Sequence, residues 1–150
     1  MIVRKGVLTD SVDIWNWRND PKTQLNSLNQ DPISFENHSK WISETLQNPL
    51  VYVYVGIQDK HKIGVCRFNQ DPLSLIFEVS INLNSDFRGK GYSRLLLGES
   101  INLLFHEKNA MLTLNATIRI DNLESIKLFQ NFGFQLKKTF DDYAIYSYVK

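Results

Sequence analysis

One cysteine stands among the 150 residues, so no internal disulfide can form. The three histidines lie far apart, and no Cys/His cluster at zinc spacing exists, so no metal is expected. Cys66 sits in the apolar run IGVCRF and reads as a core residue. No run of about 18 apolar residues occurs that would cross a membrane as a helix. The opening MIVRKGVLTD lacks the long apolar centre of a signal peptide, so a cytoplasmic protein without a membrane partner is expected. Neither charge sign dominates: 17 Lys and Arg face 16 Asp and Glu, for a net charge of +1. That balance argues against a nucleic-acid binder, which carries a basic excess. There is no repeat, no low-complexity tract and no linker rich in Pro, Gly or Ser, so residues 1–150 read as one domain.

What is present is patterned. Hydrophobic residues make up 43% and aromatics 12%, enough for a packed core. IVRKGVL reads as an edge strand, and Asp10 or Ser11 can cap a short helix through Trp17. RNDPKTQLNSLNQDP is polar with two Asp-Pro steps and reads as a loop. Ser34 caps a helix on which His38, Trp41, Ile42 and Thr45 share a face. VYVYVGI alternates, with Val51, Val53 and Val55 opposite Tyr52 and Tyr54, and pairs with KIGVCRF in a hairpin. LIFEVSINL sets Phe77, Val79 and Ile81 on one face and Glu78, Ser80 and Asn82 on the other. A helix follows from about Tyr92 to Glu107, then a strand, AMLTLNATI. Asp121 with Glu124 has capping-box spacing for a helix that stops at Gly133, and two strands close the chain. The expected fold is a single α/β layer: a mixed sheet of about seven strands with about four helices.

The stretch DFRGKGYSRLLL joins the long strand to the leucine-rich helix. It fails the Walker pattern, and Arg94 stands where a dinucleotide fingerprint needs its third glycine. What remains is Arg88-Gly89-Lys90-Gly91-Tyr92-Ser93 at a helix start. The first turn of a helix exposes unpaired N–H groups and partial positive charge. Glycines let an anion approach that backbone closely. A pyrophosphate suits the turn; a cationic surface reversal is the bland alternative.

Arg-x-x-Gly-x-small after an apolar strand resembles motif A of the GNAT N-acetyltransferase superfamily, with Ser93 where Gly or Ala is usual. NLESIKLFQNFGF resembles that family's motif B through Asn122, Ser125, Leu128, Phe129, Gly133 and Phe134. The order of elements also matches, so the resemblance covers nearly the whole chain. It implies splayed central strands, a single GNAT domain and acetyl-CoA as co-substrate. Ile81, Asn82 and Leu83 would hold the pantetheine arm, residues Arg88, Gly89, Lys90, Gly91, Tyr92 and Ser93 the phosphates, and Asn122 and Phe129 the region of the sulfur. Glu78 falls where many members carry a base acting through water; otherwise it is a surface carboxylate or a partner of Arg67. Phe129 occupies the place of a tyrosine acid, which leaves that role vacant. Members that acetylate ribosomal-protein N-termini read Asn-x-x-Ser there, which makes Ser125 the candidate acid, or else a plain helix serine.

Trp-Arg-Asn-Asp-Pro followed by Ile-Ser-x-x-x-His-x-x-Trp resembles the subgroup that acetylates nucleotide-linked amino sugars, with Arg18, Asn19, His38 and Trp41 carrying the likeness. In that reading aromatics stack on the base, Arg18 or Arg67 pairs with phosphate, and Tyr54 lines the cleft with Tyr52. His38 is also a candidate second base. The expected acceptor is a nucleotide amino sugar, with a protein N-terminus as the alternative and a non-catalytic acyl-CoA-binding module as the rival class. A monomer or a homodimer fits equally well.

Overall fold

A computed structural model describes residues 1–150. Seven strands form one sheet: β1 (Ile2–Lys5), β2 (Val51–Gln58), β3 (His61–Gln70), β4 (Ile76–Leu83), β5 (Thr113–Arg119), β6 (Gln135–Thr139) and β7 (Tyr143–Val149). Their spatial order is β1-β2-β3-β4-β5-β7-β6. Every neighbouring pair is antiparallel except β4 and β5. Five α-helices accompany the sheet: α1 (Ser11–Arg18), α2 (Pro21–Asn26), α3 (Phe35–Gln47), α4 (Tyr92–Lys108) and α5 (Leu123–Phe132). The mixed α/β layer is as expected, with one helix more than the sequence pattern suggests. None of these helices is long and apolar enough to cross a membrane.

The additional helix is α2, inside the segment that reads as a loop. Asp20 caps it by accepting the Thr23 N–H, and Pro21 takes the first helical position. Asp-Pro marks a turn, but Asp at the cap and Pro just after it also start helices. No residue of α2 is fully buried, so no apolar stripe signals it. Two cap assignments also change. The Asp10 side chain does not cap α1; it accepts two hydrogen bonds from Arg4, at 2.7 and 3.0 Å, and one from the Val7 N–H, and pairs with Lys62 at 2.8 Å. Asn122, not Asp121, caps α5 by accepting from the Ser125 N–H, while Asp121 pairs with Arg119.

The alternation of β2 distributes its side chains between two cores. Tyr54 joins Phe68, Phe77, Leu96, Leu97, Ile101 and Leu104 in the larger core, which β2–β5 share with α4 and α5. Val53 and Val55 join Ile14, Trp17, Ile42 and Val65 in a smaller one between the sheet and helices α1 and α3. Trp17 is therefore core, whereas Trp15 is half-buried and Trp41 is exposed.

The sheet opens at its centre. Strands β4 and β5 pair only at Ile76↔Thr113, Phe77↔Leu114 and Glu78↔Asn115. Beyond that point each follows its antiparallel partner: β4 stays on β3 to Leu83↔Gly64, and β5 stays on β7 to Arg119↔Tyr143. The contact at Gly64 is close, since a Cβ there would lie 2.6 Å from the Asn82 carbonyl oxygen. β4 is thus drawn toward β3, and the two central strands diverge into a notch.

Candidate active site

The notch opens into a cavity of about 620 Å³. β4 contributes Glu78 through Leu83, β5 contributes Ala116 through Ile118, and α5 contributes Asn122, Ser125 and Phe129. Arg88, Gly89 and Ser93 line one end. Arg18, His38, Trp41 and Arg67 line another part, and α2 supplies Lys22, Thr23 and Asn26. Residues separated by more than a hundred positions thus face one space.

Glu78 stands where the β4–β5 ladder stops. Its Oε1 accepts the Thr117 N–H at 2.9 Å, so the carboxylate bridges the divergence that the backbone no longer closes. It is open to the cavity, yet enough protein surrounds it that burial raises its pKa, against the Thr117 hydrogen bond, which lowers it. It is not paired with Arg67. A carboxylate raised in this way is a better proton acceptor at neutral pH than an ordinary surface glutamate.

At the cofactor end, Gly89 and Gly91 adopt left-handed φ angles of 73° and 79°. A Cβ at either would meet no atom within 4 Å, so the protein leaves the space beside this backbone open. No side chain caps α4 at Gly91, so its first N–H groups are free to meet an anion. These features fit a diphosphate. The cations are less available than the sequence suggests. Arg88 Nη2 is engaged by Asp20 and by Thr23 Oγ1 at the start of α2. Lys90 donates to the Asp86 carbonyl at 3.2 Å and lies over the Phe87 ring. Gly91, Lys90 and Tyr92 stand beside the cavity end rather than in its wall, and Tyr92 packs edge-on against Phe87.

Ser125 is half-buried on the cavity wall, one turn after the cap Asn122, and its hydroxyl has no partner within the protein. Phe129 is buried and packs edge-to-face on Phe134 at 4.9 Å.

The acceptor-side residues divide. Arg18 and Arg67 share the cavity with Trp41, whose ring centre lies 5.0 Å from the Arg67 guanidinium carbon. His38 reaches the cavity wall, but it is buried and its Nε2 is 2.8 Å from the Ser11 carbonyl, which can only accept; burial lowers its pKa. It therefore ties α3 to α1 as a neutral ring, and the role of second base does not suit it. Two further expectations are corrected. Asn19 uses both ends of its amide on the Ile33 backbone, at 2.7 and 2.9 Å, and closes the α1–α3 connection instead of facing the cavity. Tyr54 is 1% exposed on the opposite face of the sheet, where its hydroxyl donates to Glu107. The valines of β2 face α1 and α3, and alternation sends the tyrosines the other way.

Three contributors escape a sequence reading. Thr117 acts through its backbone, Gly64 through closeness to β4, and Lys22 through α2, where it pairs with Glu124 across the cavity mouth. Only Asp20-Pro21, as a helix start, offered a signal.

The family model described as an acetyltransferase (GNAT) domain matches residues 1–135. A comparison with curated proteins finds no match. Among solved structures, spermidine N-acetyltransferase from Vibrio cholerae, in complex with CoA and spermine, superposes with a TM-score of 0.86 at 17% identity, covering 99% of this chain and 94% of that one. Ribosomal-protein-alanine N-acetyltransferase from Brucella melitensis gives 0.78 at 22% identity, covering 100% and 99%. A ribosomal L7/L12 alpha-N-protein acetyltransferase in complex with coenzyme A gives 0.82 at 16%, covering 98% and 92%. At these identities the superpositions speak for the fold, whereas the family match spans nearly the whole sequence. The chain belongs to the GNAT family and is an N-acetyltransferase.

Proposed function

We propose that this protein transfers an acetyl group from acetyl-CoA to the primary amine of a small acceptor, a nucleotide-linked amino sugar. The observation that carries the transfer reading is the position of Glu78: a carboxylate with a raised pKa, at the point where the central strands part, open to a cavity that ends on an uncapped helix N-terminus.

The thioester supplies an activated acyl carbon. The backbone of Gly89 and the first turn of α4 would hold the diphosphate, and Ile81, Asn82 and Leu83 would offer main-chain groups along the notch. N–H donors of this kind also stabilise charge that develops on a carbonyl oxygen under attack. Glu78 takes the proton from the incoming amine, directly or through one water, so that nitrogen forms the new bond to the acetyl carbon as the C–S bond breaks. The free Ser125 hydroxyl, on the cavity wall, would give a proton to the departing sulfur. Phe129 holds the apolar wall behind it.

For the acceptor, Trp41 offers a flat surface and Arg18 and Arg67 offer charge. The carboxylates lining the cavity are Glu78 and Glu124, and Glu124 is paired with Lys22. A groove built for a protein N-terminus would carry more acid and less guanidinium, so the lining favours the nucleotide reading over the peptide one.

Thiol release from acetyl-CoA tests the reading, with UDP-linked amino sugars, free amino sugars, spermidine and short peptides as acceptors. Turnover with the nucleotide sugars, lost in Glu78→Gln while CoA still binds, is the expected result. Turnover with peptides alone would replace the acceptor assignment, and CoA binding without turnover on any amine would return the non-catalytic alternative.

A further inference from the structure

Arg67 is the most unusual side chain in the cavity. It comes from the middle of β3, is half-buried, and makes no hydrogen bond or ion pair. The Trp41 ring lies over its guanidinium, 5.0 Å from ring centre to the guanidinium carbon. Arg18 approaches it from α1. Arg18 Nη2 donates to the Asn29 carbonyl at 2.6 Å, but Nη1 is buried with no partner at all. Both side chains line the same cavity, and burial first, then the charge of Arg18, lowers the pKa of Arg67. Both remain charged, because arginine does not deprotonate in proteins. Two like charges on one cavity, one with an orphaned buried donor, are costly unless something anionic completes them.

We infer that Arg18 and Arg67 form a receptor for one oxyanion of the acceptor, with Trp41 as its floor, and that the enzyme therefore acetylates amines that carry a phosphate-type or carboxylate group and rejects polycations. The inference rests on the reading of this cavity as the acceptor site, and it adds what that site demands. Guanidinium forks match both oxyanions in shape, and both arginines line the cavity. A polyamine would bring further positive charge to two unpaired cations.

Arg67 pairs with Ser80 on β4, and Glu78 is two residues along, so the arginine and the base project from the same face of the sheet. A second recess past Trp41 and Arg67, lined by Glu44, Asn48 and Asn69, gives room for whatever lies beyond the anion.

The test is calorimetric titration of UDP into enzyme already saturated with CoA, which occupies the phosphate turn. Wild type should bind UDP, and Arg67→Met and Arg18→Met should each weaken binding at least tenfold with CoA affinity unchanged. Arg67→Lys keeps the charge without the fork and should recover part of the loss, which separates anion recognition from damage to the fold. UDP affinity equal in wild type and Arg67→Met, or efficient acetylation of spermidine, would overturn the inference. Competition by acetate or a short dicarboxylate in place of UDP would keep the receptor and move the anion from phosphate to carboxylate. If UDP binds through both arginines but no amine is ever acetylated, the transfer reading fails and the receptor stands.

Discussion

The two ends of the cavity are built on different principles. The cofactor end is one continuous segment, from the far half of β4 through the glycine turn into α4. It works mainly through backbone, with N–H groups, left-handed glycines and an uncapped helix start. The acceptor end is assembled from α1, α2, α3 and β3, and works through side chains brought together from Arg18, Trp41 and Arg67. A backbone site tolerates many side chains but few changes of local conformation. A side-chain site can be retuned one residue at a time on the same frame. That difference explains how one fold can keep a single donor while its acceptor varies.

Removing Glu78, which stands between the two ends, should have the largest effect. General base catalysis contributes roughly 10²–10⁴-fold, so Glu78→Gln should lower kcat by that factor with little change in CoA affinity, measured by single-turnover kinetics and calorimetry. A fall in CoA affinity of the same size would assign Glu78 to the notch architecture instead, through its bond to Thr117. Because burial raises its pKa, the acid limb of the kcat/KM profile should lie above the ordinary carboxylate range and vanish in the glutamine variant.

Asp10 distinguishes the acceptor framework from the donor framework. It anchors the start of α1 to β1 through Arg4 and to β3 through Lys62. Hydrogen bonds to charged groups are worth about 1.5–3 kcal/mol, so Asp10→Asn should lower Tm by several degrees and raise the acceptor KM more than the CoA Kd. Burial pushes the Asp10 carboxyl up, but the hydrogen bonds from Arg4, Lys62 and Val7 outweigh it and hold the group well below its usual value. Its contribution is therefore complete above the unfolded pKa of about 3.9 and is lost as pH falls through the lower folded value. Chemical denaturation across acidic pH should show this loss in the wild type and a flatter dependence in Asp10→Asn.

Gly89→Val attacks the donor end alone. A β-branched residue in a left-handed conformation costs about 1–2 kcal/mol, and its side chain would project into the open space beside the turn. CoA affinity should drop roughly tenfold, by the free-energy equivalence of such a cost, while UDP binding stays as in wild type; equal CoA affinity would remove the turn from the diphosphate site. The smallest effect belongs to Ser125→Ala. A thiolate leaves more readily than an alkoxide and solvent can protonate it, so kcat should fall by less than about tenfold, below the usual 10²–10⁴-fold range of acid–base contributions.

The segments with strong local signals are the ones that sequence reading recovers. Phe77, Val79 and Glu78 alternate correctly on β4, and His38, Ile42 and Thr45 mark the buried face of α3. Segments whose role depends on partners are misread. Asp10 has the composition of a cap and the environment of a buried ion pair. Asp20-Pro21 has the composition of a turn and starts a helix. Tyr54 and Arg67 occupy opposite faces of neighbouring strands, and a guess about which face meets the cleft needs the helices in place.

From its sequence alone, this chain determined its family, its mixed α/β order and the turn suited to a diphosphate, because each rests on contacts between near neighbours in the chain. The tertiary structure decided that Arg88 is engaged by Asp20, that Asn19 and Tyr54 leave the cavity, and that Arg18 and Arg67 share it without a carboxylate partner. Charge pairing and burial depend on residues far apart in sequence, and only the packed sheet and helices bring them within reach.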